Sequence, residues 1–143
     1  MSSTDPSSDR HAARSSSAVV PSGTNLVVLR GTLSRDPVER ALPSGDLVLA
    51  YELTVRPPEP ARGGQQARAD SVPVALFDAP AASRSLVAGD DVVVVGRVRR
   101  RFFRAGGATA SRTEVLADRI VPARRTARVS AAVTAALGPL GPD

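Results

Sequence analysis

The stretch Asp91-Val-Val-Val-Val-Gly-Arg-Val-Arg-Arg-Arg-Phe-Phe-Arg104 runs from an apolar strand pattern straight into an arginine cluster that holds two of the chain's four aromatic residues. In an extended chain the side chains alternate faces, so Arg99, Arg101 and Phe103 line one face and Val98, Arg100 and Phe102 the other. Each face then sets cations beside a ring. That combination suits a single-stranded nucleic acid, whose phosphates attract positive charge and whose unpaired bases stack on flat side chains. The same residues also allow a plainer reading, a solvated hairpin whose phenylalanines pack on a neighbouring subunit.

Covalent and acid–base chemistry find no footing. The sole histidine, His11, lies in a Ser-rich leader, Cys and Lys are absent, and the acids are scattered at turns without metal-ligand spacing. No phosphate-cradling Gly-x-x-x-x-Gly-Lys segment occurs. A non-enzymatic protein without metal or cofactor is therefore expected. The lack of Cys fits a reducing compartment. The leader has no apolar stretch long enough for a signal peptide, and no later run approaches the roughly 20 apolar residues that cross a bilayer. A cytoplasmic protein without membrane contact is expected.

The net charge of +5 is unevenly spread: residues 97–128 hold ten arginines against only Glu114 and Asp118. An anionic partner follows from that distribution. Every basic side chain is Arg, which forks onto phosphate and stacks on bases.

The elements that would position these residues can be taken in order along the 143-residue chain. Residues 1–22 read as a disordered leader, because a Ser-rich polar segment cannot offset its ordering entropy. Residues 23–122 form the folded domain, and 123–143 a basic extension with a Pro/Gly-broken tail. Strand one is Asn25 to Ser34, ended by the Asp36-Pro37 turn. Strand two, Leu47 to Val55, alternates cleanly after the tight turn Leu42–Asp46. Arg56 to Asp70 is a long Pro/Gly/Gln-rich loop. Strand three is Ser71 to Phe77, with Pro73 marking an edge or bulge. A short helix, Ala79 to Ala88, is capped by Asp78 and closed by Gly89. Strand four runs from Asp91 to about Phe103, Ala105-Gly106-Gly107 turns the chain, and strand five is Ser111 to Val121. Val129, Val133 and Leu137 have helical spacing behind an Arg-rich start, which leaves helix, strand or disorder open for 124–137. Five strands with one helix between the third and fourth is the all-β order of an OB-fold, a small Greek-key barrel.

The residues that carry a resemblance are Asn25-Leu-Val-Val-Leu-Arg-Gly-Thr-Leu-Ser-Arg-Asp-Pro-Val-Glu-Arg40, Pro43-Ser-Gly45, Ala50-Tyr-Glu-Leu-Thr-Val55, Val74-Ala-Leu-Phe77 and Gly89 to Arg101. In order and spacing they resemble the bacterial single-stranded DNA-binding protein (SSB) family over about residues 25–121. Residues 121–129 look like the basic segment that follows the barrel in actinobacterial members. The resemblance implies base stacking on aromatic side chains. Members commonly carry tryptophans near Ser71 and Phe103 and in the loop after strand two, whereas this chain has none. Stacking would then fall to Phe103 and to Phe77, which matches a stacking position but also reads as the end of a buried strand. Tyr51 occupies a slot often held by a core Phe, and reads as DNA contact or core. Arg99 and Arg101 match basic positions of strand four.

Arg97, Arg104 and Arg112 are candidate phosphate contacts on electrostatic grounds, and Arg56, one of three arginines in the long loop, joins them. Arg35 is either a DNA contact or a turn residue pairing with Asp36 or Glu39. The resemblance implies single-stranded DNA as partner, in replication, repair, recombination or uptake. The alternative is an OB-fold assembly module acting through protein contacts with weak nucleic-acid affinity. The family's acidic C-terminal recruiting tip with its aromatic end is missing from Gly138-Pro-Leu-Gly-Pro-Asp143. The resemblance implies a homo-oligomer, a tetramer built from dimers or a dimer, and the Leu26-Val-Val-Leu29 run supplies an aliphatic edge that pairs across a two-fold.

Overall fold

The computed structural model describes residues 19–58 and 68–140. The expected leader therefore lies outside the described residues except for 19–22, which are exposed and belong to no helix or strand. The elements are β1 (Val27–Leu33), β2 (Val38–Ala41), β3 (Leu47–Val55), β4 (Asp70–Phe77), α1 (Ala81–Arg84), β5 (Asp91–Ala105), β6 (Ala108–Pro122) and α2 (Thr126–Leu137).

The alternation in β3 sets one face of the sheet. Leu49, Tyr51 and Leu53 are buried, and they stand opposite Leu76, Val74 and Val72 of the antiparallel β4. Val92 and Val94 of β5 and Val115, Ala117 and Ile120 of β6 complete the same core. The sheet closes because β1 changes partner along its length, pairing with β5 over Val27–Thr32 and with β3 at Thr32 and Leu33. A short parallel contact between β4 and β6, at Val74↔Val115 and Ala75↔Leu116, joins the remaining edges. The result is a closed five-stranded OB-fold, β1-β5-β6-β4-β3, with α1 between its third and fourth strands and β2 lying outside on the edge of β3.

Two glycines permit the closure. A Cβ on Gly31 would collide with the Thr54 carbonyl where β1 crosses to β3, and one on Gly96 would collide with the Leu116 carbonyl. Gly96 also marks a register shift that leaves Asp118 without a partner, a bulge that bends the β5–β6 ribbon.

Several boundaries differ from those read in the sequence. β2 lies between the Asp36-Pro37 and Leu42–Asp46 turns, on residues assigned to no element from the sequence, because all four are exposed and no apolar alternation advertises them. The helix is one turn rather than Ala79–Ala88. Asp78 sits at φ 51 and makes no cap, since the chain leaves β4 through a left-handed residue. Leu86 instead plugs the barrel end, and the Gly89 N–H donates to the Leu33 carbonyl. Pro73 lies one residue before the β4–β6 pairing begins, so its missing N–H costs that ladder nothing. The hairpin arms are longer than expected: β5 reaches Ala105 and β6 starts at Ala108, joined through Gly106 and Gly107 at φ 59 and 82. A two-residue turn with both residues at positive φ matches the right-handed twist of its arms.

The segment left open in the sequence is the helix α2. Val129, Ala132, Val133 and Ala136 rest on Val93, Val95 and Val121, on the outer wall of β5 and β6. No helix among the described residues is long and apolar enough to cross a membrane.

Candidate nucleic-acid interface

The β3 and β4 residues that point away from the inner core make a second face, on which Val48 and Ala75 are themselves buried. In register the pairs on this face are Val48↔Phe77, Ala50↔Ala75 and Glu52↔Pro73. The small side chains of Ala50 and Ala75 leave a trough. One bank is built by Arg35, Val38, Arg40 and Leu42, the other by Arg99, Arg101, Arg112 and Glu114 of the long hairpin.

The hairpin bank is an alternating ladder of rings and charges. Arg99 donates from Nε and Nη2 to Glu114 Oε1 at 3.2 and 3.0 Å, and its guanidinium lies 5.5 Å from the centre of the Phe77 ring. Arg101 Nε is 3.4 Å from the same Glu114 oxygen, with the guanidinium 5.2 Å from the Phe103 ring centre. The order along the bank is therefore Phe77, Arg99, Glu114, Arg101, Phe103. Glu114 is only 7 % exposed, so its attraction to the two arginines is poorly screened and fixes them in place. On the reverse face Arg100 donates to Ser111 Oγ at 3.2 and 3.0 Å and lies 5.2 Å from the Phe102 ring centre. Both faces carry an Arg–Phe pair, as strand alternation requires.

A second carboxylate organises the opposite end of the trough. Glu52 accepts from Ser71 Oγ, and its Oε2 lies 3.6 Å from Arg35 Nη2 and 3.9 Å from Arg112 Nη2. The pairing expected for Arg35 with Asp36 or Glu39 is thus replaced. Asp36 instead accepts from the Ala88 N–H, and Glu39 pairs with Arg84. Barrel closure brings Glu52 beside Arg35 from 17 positions along the chain, which no local turn reading reveals.

Tyr51 is a core residue and no stacking platform. It is 3 % exposed and its hydroxyl donates to the Ser83 carbonyl at 2.8 Å, tying α1 to the barrel. Burial pushes its phenol up to about 12, with a smaller opposing effect from Arg84. Phe77 is half-buried with its ring against Arg99, so it is neither a core side chain nor fully free. Phe103 is 38 % exposed and Phe102 64 %. Arg97 is exposed on β5 two positions from Arg99 and on the same strand face, Arg104 is exposed on the face of Arg100 and Phe102, and Arg56 is exposed just after β3. Among the described residues none of the three has an ion-pair partner.

Sequence reasoning missed Glu52, Glu114 and Arg40. Glu114 was recoverable: a two-residue turn at Gly106-Gly107 fixes the hairpin register, and counting back places residue 99 opposite residue 114. Arg40 was hidden with β2.

A closed five-stranded barrel whose long β5–β6 hairpin sets ring-backed arginines beside the outer face of β3 and β4 has the architecture of the OB-folds that bind oligonucleotides. The sequence profile of the Single-strand binding protein family matches residues 24–122, and the chain belongs to that family. Single-stranded DNA binding is the general activity that membership carries. The match spans β1 to β6 and stops before α2. No curated protein matches the chain significantly.

Proposed function

We propose that the trough over β3 and β4 is where single-stranded DNA lies, with little demand on sequence, in the service of replication, repair, recombination or DNA uptake. The observation that carries this reading is the ladder Phe77, Arg99, Glu114, Arg101, Phe103. Phe103 and Phe77 offer ring faces to bases, each stack being worth ~1–3 kcal/mol. Arg101 and Arg112, whose ion pairs are long at 3.4 and 3.9 Å, turn outward N–H groups to phosphates. Arg97 and Arg104 extend the basic track along β5, and Arg56 and Arg35 flank the trough's other end. With few rings and no tryptophan, affinity leans on charge.

The protein is proposed to work as a homo-oligomer in the cytoplasm. β1 pairs with β3 only at Thr32 and Leu33, so along Val27–Arg30 its edge away from β5 has no partner among the described residues. A second copy's β1 fits there across a two-fold, which gives a dimer. A tetramer needs a further contact that avoids the wall covered by α2.

Fluorescence-anisotropy titration with labelled dT and rU oligomers at two salt concentrations tests the reading. Binding to dT that weakens with salt is expected. One observation favours the assembly-module alternative, namely that Glu52 and Glu114 offset part of the trough's positive charge. A stable oligomer by light scattering that binds neither nucleic acid at low salt would establish that alternative instead.

A further inference from the structure

The trough uses only one face of the β5–β6 hairpin. β1 last pairs with β5 at Gly96, and β4 first pairs with β6 at Val115, so residues 100–113 form a two-stranded ribbon that runs on past the barrel. Past the barrel, no other strand among the described residues flanks the ribbon. On the face turned away from the trough, Arg100, Phe102 and Arg104 stand in register with Thr113, Ser111 and Thr109. All six are exposed.

The two faces differ in how their charge is met. On the trough side Arg99, Arg101 and Arg112 each pair with Glu114 or Glu52. On the reverse face the cross-strand partners are hydroxyl residues, and among the described residues neither Arg100 nor Arg104 has an ion-pair partner. Arg100 is nonetheless held: its Nε and Nη2 donate to Ser111 Oγ at 3.2 and 3.0 Å, which orients the guanidinium without neutralising it. Three of its five N–H groups remain to donate elsewhere. Between the two cations lies Phe102, the most exposed ring of the hairpin at 64 %, against 38 % for Phe103.

That order of side chains selects its occupant. Steps of two residues along a strand are about 7 Å, close to the phosphate spacing of an extended single strand. A base stacked on Phe102, with its flanking phosphates at Arg100 and Arg104, engages all three. An inorganic anion leaves the ring unused. A second copy seated on this face across a two-fold sets these arginines against their own mates, with no carboxylate on the face to offset them.

We infer that the reverse face of the hairpin is a second surface for single-stranded DNA, so that one chain holds two separate strands with the ribbon between them. This rests on the function proposed above. The further activity it implies is bridging of two single strands by one chain, over and above covering one.

The test is native mass spectrometry of the full chain with short dT oligomers, counting oligomers per chain whatever the assembly. Two per chain at saturation are expected. In Phe102→Ala and in Arg100→Ala, each checked by its melting curve, the second oligomer should bind about fivefold or more weakly, the low end of what one stacked base contributes. The first should bind as in the parent. Phe103→Ala should weaken the first and spare the second. One oligomer per chain in the parent, or a second that binds both reverse-face variants undiminished, overturns the inference and leaves the trough standing. A Phe102→Ala variant that loses assembly mass instead of the second oligomer overturns it too, and makes the face a subunit contact. A parent that binds no oligomer removes the proposed function itself.

Discussion

Arg99 and Arg101 look equivalent in the sequence, two positions apart on one face of a strand, yet their surroundings give them different work. Arg99 is clamped between the Phe77 ring and two hydrogen bonds to Glu114, whereas Arg101 holds Glu114 only through a 3.4 Å ion pair. Arg99 is therefore a positioning group and Arg101 the more available cation. Glu114→Gln should lower stability by ~1–3 kcal/mol in a denaturant titration, because hydrogen bonds to a charged acceptor are weakened. The same variant should bind dT oligomers more tightly at low salt and with a steeper salt dependence, since two guanidiniums are released to phosphate. Tyr51 allows a pH test. Its folded-state phenol is raised to about 12 by burial, above the ordinary value near 10, so its contribution is complete below about pH 10. That contribution is lost as the pH rises towards 12. The parent's melting temperature should drop across this window, and Tyr51→Phe should remove that part of the drop.

At the scale of elements, what the sequence showed depended on whether an element buries one face. β3 and the start of β5 do, and their alternation and apolar runs were legible. β2 buries nothing, and α1 is shortened by a left-handed Asp78 and by the return of the chain to β5, neither of which leaves a periodic trace. The ring–cation ladder was half legible: alternation placed Arg99, Arg101 and Phe103 together, but Glu114 and Phe77 join them only through the hairpin register and the β4–β6 contact. The helix α2 had its spacing visible but not its destination, because the apolar wall it covers belongs to strands read as core. Ala132 is its most buried residue, at 2 % exposure. Ala132→Glu should lift the helix from Val93, Val95 and Val121, cost ~1–3 kcal/mol through overpacking, and raise the mass seen by light scattering as that wall is exposed.

For the whole molecule, the proposed function has an OB barrel without tryptophan bind single strands chiefly through arginine, with two phenylalanines adding stacking. The cations most available to phosphate are Arg97 and Arg104, which lack ion pairs among the described residues, and Arg101 and Arg112, whose pairs are long. Four such contacts give a slope of log K against log salt of about −3, at about −0.7 per phosphate on a single strand. Two substitutions separate charge from stacking. Arg101→Ala should weaken binding and make the slope shallower by about 0.7. Phe103→Ala should cost ~1–3 kcal/mol with the slope unchanged, since a stacked base releases no counterion. The most direct measurement is therefore the salt-dependent anisotropy of a dT oligomer with the parent protein, Arg101→Ala and Phe103→Ala. A parent slope of about −3 and these two distinct departures from it are expected; a parent affinity indifferent to salt, or three proteins that bind alike, would contradict arginine-led binding in the trough.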